Sequence, residues 1–192
     1  AGELHRRTQE RLAQRRAAFG VVVLLAVVVP PQECAQRTPA VVEFGGDDLA
    51  TVSFTDGSSQ DVIAGQGVTL ALGGHYRWTD SPFSMRGTVG YKYVTTKATN
   101  ADISVGRTVI EVVGNYLWDN GWWIGGGITH HSSIKFDADG LGPDVSFDDA
   151  TGPTFEAGWR WIALSYTKLD YKDEFGFKWD ASSVGLKLTS KF

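Results

Sequence analysis

The segment His130-His131-Ser132-Ser133 places the side chains of a nucleophile and a general base next to each other. A hydroxyl becomes a useful nucleophile only when an imidazole takes its proton, an acid orients that imidazole and N–H donors hold the oxyanion. Nothing in the neighbouring sequence specifies those partners, so the segment is expected to be a loop base and the chain not an enzyme. An acidic stretch follows, with Asp137, Asp139, Asp144, Asp148 and Asp149. Asp137-Ala138-Asp139-Gly140 starts like a calcium loop but lacks the regular ligand ladder and the closing Glu. No metal site and no cofactor are expected; bridging of lipid phosphates through cations is the secondary use of such a loop. A third set is the most extensive: His75, Arg77, Arg86, Lys92, Arg107, Glu111, Asn115, Glu156, Arg160 and Lys187, each lodged at alternate positions within otherwise apolar stretches. Six cations against two carboxylates are unbalanced, so some are expected near water-exposed ends or beside loop aspartates.

Positioning these groups requires strands. Val184, Leu186 and Leu188 oppose Ser183, Gly185, Lys187 and Thr189, a period of two. The same alternation runs through Val68–Trp78, Ser84–Tyr93, Val109–Trp118, Trp122–Thr129, Thr154–Arg160 and Ile162–Thr167, which makes seven strands. The eighth is expected at Leu49–Thr55, around Val52 and Phe54. The same stretch has a second option, a separate hairpin with Asp61–Ala64. Connections alternate in length: Thr79–Pro82, Asp119–Gly121 and Arg160-Trp161 are short, whereas Asp56–Gln66, Thr96–Asp102, Ile134–Ala150 and Asp173–Asp180 are long and polar. That sorting is the pattern of an antiparallel up-and-down barrel spanning a membrane, with short periplasmic turns and longer external loops. Charges then belong inside, because a cation facing lipid near the midplane costs several kcal/mol.

The aromatic residues support this orientation. Trp78, Trp118, Trp122, Trp123, Trp159 and Trp161, six of the seven tryptophans, lie near short connections. Indole prefers the membrane–water interface, since its ring is apolar and its N–H needs a partner. They are expected to form a girdle, with Tyr91, Tyr93, Tyr166, Tyr171 and Trp179 forming the opposite one.

Bulk properties set the outer bounds. The chain has 192 residues, 42% of them hydrophobic and 21% charged, with 23 glycines, one cysteine and one methionine, and a mean hydropathy of -0.15. One cysteine excludes an internal disulfide framework, and no apolar run is long enough for a spanning helix. Residues 41–192 carry a net charge of -7, which excludes a nucleic-acid module. Residues 1–40 are net +3. There, Arg6, Arg7, Arg11, Arg15 and Arg16 precede the apolar run Phe19–Val29 and then Pro30-Pro31. As a helix that run spans only about 16 Å, so the segment is expected to be a secretory signal peptide, cleaved near Cys34 or Ala40. A lipoprotein Cys34 and a twin-arginine signal at Arg15-Arg16 are the alternatives. The long basic lead and the lack of an initiating Met imply a truncated or wrongly started chain. The domain organisation expected is signal peptide and extension at 1–40 and barrel at 41–192.

Residues 45–192 resemble the small outer-membrane β-barrel proteins of Gram-negative bacteria, the eight-stranded class that includes the OmpX-, OmpW- and OmpA-type barrels and an uncharacterised proteobacterial outer-membrane β-barrel domain family. The residues that carry the resemblance are Ser-Phe-Thr-Asp-Gly-Ser at 53–58, Ala-Gly-Gln-Gly at 64–67, Gly-Thr-Val-Gly-Tyr-Lys at 87–92, Gly-Gly-Gly-Ile-Thr-His-His at 125–131 and the C-terminal strand. The resemblance implies an all-β, eight-stranded antiparallel up-and-down transmembrane barrel in the bacterial outer membrane, monomeric, in contact with lipid and lipopolysaccharide. It further implies that the barrel-assembly machinery recognises Phe192 with Val184, Leu186 and Leu188, and Ser190 departs from that alternation. A side-chain-filled lumen with a structural or interaction role for the external loops is the expected function. Passage of small or amphipathic solutes and lipid modification by a rim enzyme are the competing ones.

Overall fold

A computed structural model describes residues 35–53, 59–98, 101–140 and 144–191. The signal-peptide expectation at Phe19–Val29, Cys34 and the terminal Phe192 lie outside the described residues. Thirteen strands follow in chain order: β1 (Ala35–Phe44), β2 (Asp48–Ser53), β3 (Ser59–Ile63), β4 (Gly67–Arg77), β5 (Phe83–Ala98), β6 (Ala101–Leu117), β7 (Trp122–Asp137), β8 (Val145–Phe147), β9 (Ala150–Trp159), β10 (Ile162–Thr167), β11 (Asp170–Lys172), β12 (Lys178–Asp180) and β13 (Ser183–Lys191). Eight of them, β1, β4, β5, β6, β7, β9, β10 and β13, pair in that order, all antiparallel. β13 then pairs back with β1 from Arg37↔Lys191 to Phe44↔Val184, which closes the ring. Among the described residues the ring of eight has no edge strand, the condition a sheet must meet in hydrocarbon.

The strand that closes the barrel differs from the expectation. Leu49–Ser53, the described part of that stretch, does not enter the ring; Asp48–Ser53 forms a hairpin with Ser59–Ile63, the second option for this stretch. Its place is taken by Ala35–Phe44, which starts inside the stretch assigned to the leader and puts the barrel boundary before residue 41. Cleavage after Ala40 would remove half of β1. Pro39 coincides with a gap in the β1–β4 ladder between Arg37↔Gly73 and Ala40↔Leu70, as befits a residue with no N–H to donate.

The long connections differ too. The Thr96–Asp102 segment, expected as a loop, is mostly ladder, with Lys97↔Asp102 and Ala98↔Ala101 continuing the β5–β6 pairing. β5, β6 and β7 run 16, 17 and 16 residues, beyond the roughly 9–11 that cross a bilayer. Their far ends therefore stand outside the membrane. Connections there hold β2–β3, β8 and β11–β12, whereas the other end has only tight turns.

Polarity is inverted relative to a soluble barrel. Val42, Phe44, Val68, Leu70, Leu72, Val89, Val112, Ile124, Ile128, Phe155, Leu164, Val184, Leu186 and Leu188 are exposed on the outer face. The inner face is Thr69, Arg86, Thr88, Lys92, Asn115, Thr154, Glu156, Ser165 and Lys187, all buried. From Val68 on β4 to Trp78 just past its end is ten residue steps, and tilted by about 40° this covers about 25 Å, the height of an apolar band. The chain is a transmembrane barrel of the outer-membrane type.

A bulge on β7 changes what its outer half presents. Gly106 pairs with Lys135 but Thr108 with Ser132, so Ser133 and Ile134 share the space opposite Arg107. Ser133 takes φ 54°, and the inward phase shifts from His131 to Ile134 and Ala138. A one-residue slip turns every later side chain over. Here it points Ile134 and Phe136 inward and leaves Lys135 and Asp137 outward.

Candidate functional site

The lumen is layered. At mid-height four strands each contribute one charge: Arg86 from β5, Glu111 from β6, Glu156 from β9 and Lys187 from β13. Arg86 Nη2 donates to Glu156 at 2.7 and 2.8 Å and to Glu111 at 2.9 Å. Lys187 Nζ donates to Glu111 at 2.9 and 3.1 Å and makes a close contact with Glu156. Two cations and two carboxylates cancel, and the Glu156 side chain is inaccessible. Room for this cluster comes partly from inward glycines: a Cβ at Gly125 would run into Asn115 Oδ1.

A second pair lies nearer the long-loop end. Lys92 Nζ is 3.0 Å from Glu43 Oε2 and donates to the Gly65 carbonyl at 2.7 Å. Glu43 also accepts from Ser183 at 2.8 Å and Thr69 at 3.2 Å. Glu43 is the lumen carboxylate that the sequence reading missed, because β1 was assigned elsewhere. Its signal was present in the alternation Val41, Val42, Glu43, Phe44.

Above that pair, Arg107 is fully buried, donates to the Gln66 carbonyl at 2.7 Å and lies 5.5 Å from the centre of the Tyr171 ring. Tyr171 belongs to the β11–β12 loop, yet it is wholly buried rather than part of an outer girdle. Burial pushes its hydroxyl up to about 12, with Glu43 adding to the rise and Arg107 opposing it. The phenol therefore keeps its proton, and its oxygen shares a 2.6 Å hydrogen bond with His131 Nδ1 whose donor is set by the imidazole tautomer. Tyr171→Phe strands that buried ring nitrogen and is expected to cost about 1–3 kcal/mol. Faster proteolytic nicking of the β11–β12 loop in detergent, with the barrel intact, is the measurement that checks it.

An apolar cap covers this end. Ala64, Ile134, Ala150, Leu169, Tyr171 and Ala181 form one buried cluster, with Leu49, Phe147 and Trp179 packed on it. Val62, Ile103 and Val105 form another, with Val94 and Phe136 packed on it. Trp179, expected in a girdle, belongs to this cap. Tyr91, Tyr93 and Tyr166 do face outward at that level.

Among the described residues the short-turn end is open instead. A cavity of about 930 Å³ enters the barrel there, lined by His75, Arg77, Ser84, Arg86, Asn115, Trp118, Asp119, Trp123, Arg160 and Trp161 among others. Arg77 and Arg160 are exposed at this mouth and take no part in the ionic cluster. The reason is position: Arg77 ends β4, and Arg160 sits in the two-residue β9–β10 turn with φ 53°. Trp78, Trp118, Trp122, Trp159 and Trp161 are exposed around the rim. Trp123 differs, because it lies one position out of phase with Trp122, lines the cavity and donates its indole N–H to the Arg160 carbonyl at 3.3 Å.

The other groups singled out in the sequence are dispersed. His130 Nδ1 is 2.8 Å from Thr151 Oγ1, and His131 bonds Tyr171, so neither imidazole has Ser132 or Ser133 as its recorded partner. Asp137 Oδ1 accepts from the Asp139 N–H and Asp144 Oδ1 from the Ala138 N–H, so both brace a turn. Among the described residues, no cluster of His, Cys, Asp or Glu is placed to hold a metal ion.

One feature of the external end had no sequence signal. Asp173 is buried and collects three donors: the Phe175 and Phe177 N–H groups at 3.0 and 2.9 Å on Oδ1, and Trp179 Nε1–H at 3.3 Å on Oδ2. The Asp173 N–H donates to the Phe177 carbonyl at 3.0 Å, closing the turn. This braced tip presents Phe175 and Phe177 at 75% and 66% exposure.

No protein-family description matches the chain, and no curated protein matches it in sequence. Among solved structures it is similar to Ail, the attachment invasion locus protein of Yersinia pestis, in complex with the heparin analogue sucrose octasulfate. The identity is 12%, over 82% of this chain and 97% of that one, with a TM-score of 0.43.

Proposed function

We propose that this chain is an integral barrel of a Gram-negative outer membrane, closed to solute flow, whose interactions are made by its external loops. The observation that carries the reading is the Phe175–Phe177 tip. Large apolar side chains outside the lipid belt are costly to leave in water, and a turn held by a buried aspartate does not let them fold away. A rigid aromatic pair is the anchor type that contributes most at protein interfaces. The occupant this fits is an apolar or aromatic-faced surface outside the cell. Lys135, turned outward by the β7 bulge, would meet lipopolysaccharide phosphate, and the barrel-assembly machinery would be the partner during insertion.

The test is retention of cells displaying the protein on alkyl-coated and cell surfaces. The Phe175→Ser, Phe177→Ser double variant is expected to fall to the level of cells without the protein. Its heat-modifiable gel band is expected to keep the same intensity. Retention unchanged at equal folded amount defeats the reading.

Closure of the lumen has its own check. The Arg86–Glu111–Glu156–Lys187 cluster at mid-height and the apolar cap beyond it support closure. Planar-bilayer recordings are expected to show no discrete openings, and steady unitary steps would disprove closure.

A further inference from the structure

The open end of the barrel has a composition that closure does not require. A barrel plugged at mid-height needs no cavity at its short-turn mouth, yet the described residues there surround about 930 Å³. That volume is within the range of sites for drug-sized organic molecules. Its walls combine two chemistries. Trp118, Trp123 and Trp161 supply indole surface, while Arg77 and Arg160 supply guanidinium groups with no carboxylate partner among the described residues. Asp119 is the single acidic residue in the lining.

The floor adds an independent observation. Ser84 Oγ, Arg86 Nε and Asn115 Oδ1 are all buried without a hydrogen-bond partner, and all three residues line the cavity. Buried polar atoms are ordinarily satisfied, and the orphaned atoms carried by three lining residues make the inner end of the cavity polar. Arg86 has its other donors committed to Glu111 and Glu156, so its Nε is a directional donor whose charge is already compensated. The uncompensated charge lies higher in the mouth, on Arg77 and Arg160.

Arg160 is held in place there. Its N–H donates to the Gly121 carbonyl at 2.8 Å, its carbonyl accepts from Trp123, and its guanidinium lies 4.5 Å from the centre of the Trp159 ring. A left-handed conformation for a non-glycine residue persists only where its surroundings enforce it.

We propose that this vestibule is a binding site for an amphipathic organic anion. Its carboxylate or phosphate would rest between Arg77 and Arg160, and its apolar ring or chain against Trp123, Trp118 and Trp161. Guanidinium groups favour such oxyanions through charge-assisted hydrogen bonds. The indole wall and the volume select an organic body over a bare inorganic ion. Two sources share this chemistry, a free periplasmic solute and the headgroup of an anionic lipid. The site lies at the opposite end from the Phe175–Phe177 tip, so it stands or falls separately from the external-loop reading.

The full chain in nanodiscs of zwitterionic lipid is titrated with 1-naphthoate, neutral 1-naphthylmethanol and inorganic phosphate, followed by tryptophan fluorescence and calorimetry. Naphthoate is expected to bind at one saturable site, at least ten times more tightly than either other probe. The Arg77→Gln, Arg160→Gln double variant is expected to weaken it at least tenfold. Both arginines are exposed, so the heat-modifiable shift should be unchanged. Trp123→Leu should weaken naphthoate while leaving the weak phosphate response as it was. Repetition in nanodiscs containing phosphatidylglycerol assigns the source: a weaker apparent affinity for naphthoate indicates a lipid headgroup, and an unchanged one a free solute. The proposal is overturned if naphthylmethanol binds as tightly as naphthoate, if the double variant binds naphthoate like the parent, or if no probe saturates.

Discussion

Glu156→Ala is expected to lower the unfolding free energy of the barrel by about 3–5 kcal/mol, the usual loss when one partner of a buried ion cluster is removed. Glu156 is the more deeply buried of the two carboxylates: its side chain is inaccessible, it accepts from Arg86 through both oxygens and it also contacts Lys187. Without it, Arg86 and Lys187 face each other across the lumen with Glu111 as their shared counter-charge. Loss of the heat-modifiable folded band along a urea series gives the size of the effect. A second variant isolates the cause. Glu156→Leu with Lys187→Met removes one charge of each sign and leaves Arg86 paired to Glu111 at 2.9 Å. It is expected to cost less than the single substitution, because no buried charge is stranded. Equal or greater loss in the double variant would show that packing, not charge balance, sets the stability here.

The second large effect tests the environment of the outer face. Leu72 is 66% exposed and lies on β4 between Trp78 at the turn rim and Val68. Val68 is level with Tyr93 in the neighbouring strand, which puts Leu72 near the middle of the apolar band. In lipid, Leu72→Arg is expected to cost about 2–4 kcal/mol. An exposed leucine on a soluble protein would tolerate the same change within about 0.5 kcal/mol. Folding titrations in lipid vesicles measure the difference, with Lys178→Arg on the exposed β12 as the reference substitution. A cost near zero would place this face in water and remove the membrane reading.

The alternation of β4, β9, β10 and β13 shows how much such a sequence declares. Val68-Thr69-Leu70-Ala71-Leu72 already states that two kinds of surface lie on opposite sides of one strand, and a charge on the same side as Thr69 has only the lumen to enter. Period-two sidedness is a local property, written by neighbours in the chain. β1 shows where that stops. Its inward residues Val41 and Glu43 alternate properly, but a Pro and an adjoining basic leader-like stretch hid a strand whose partner β13 lies at the far end of the chain. Missing it hid Glu43, and the lumen then seemed short of carboxylates. β7 shows a second stop: the shift of phase at Ser133 is a property of its pairing with β6 around Arg107, and no pattern within β7 alone announces it.

The sequence by itself determined that this chain is a barrel of alternating strands, which face of each strand meets lipid, and that the charges must turn inward. Only the tertiary structure decided which segment closes the ring, which charges meet, and that one end is capped while the other stays open. The physical reason is distance along the chain. Arg86 and Glu156 are 70 residues apart and Glu43 and Ser183 are 140 apart. Such pairs exist only once strand order and register are set, and a repeat of two residues carries no record of either.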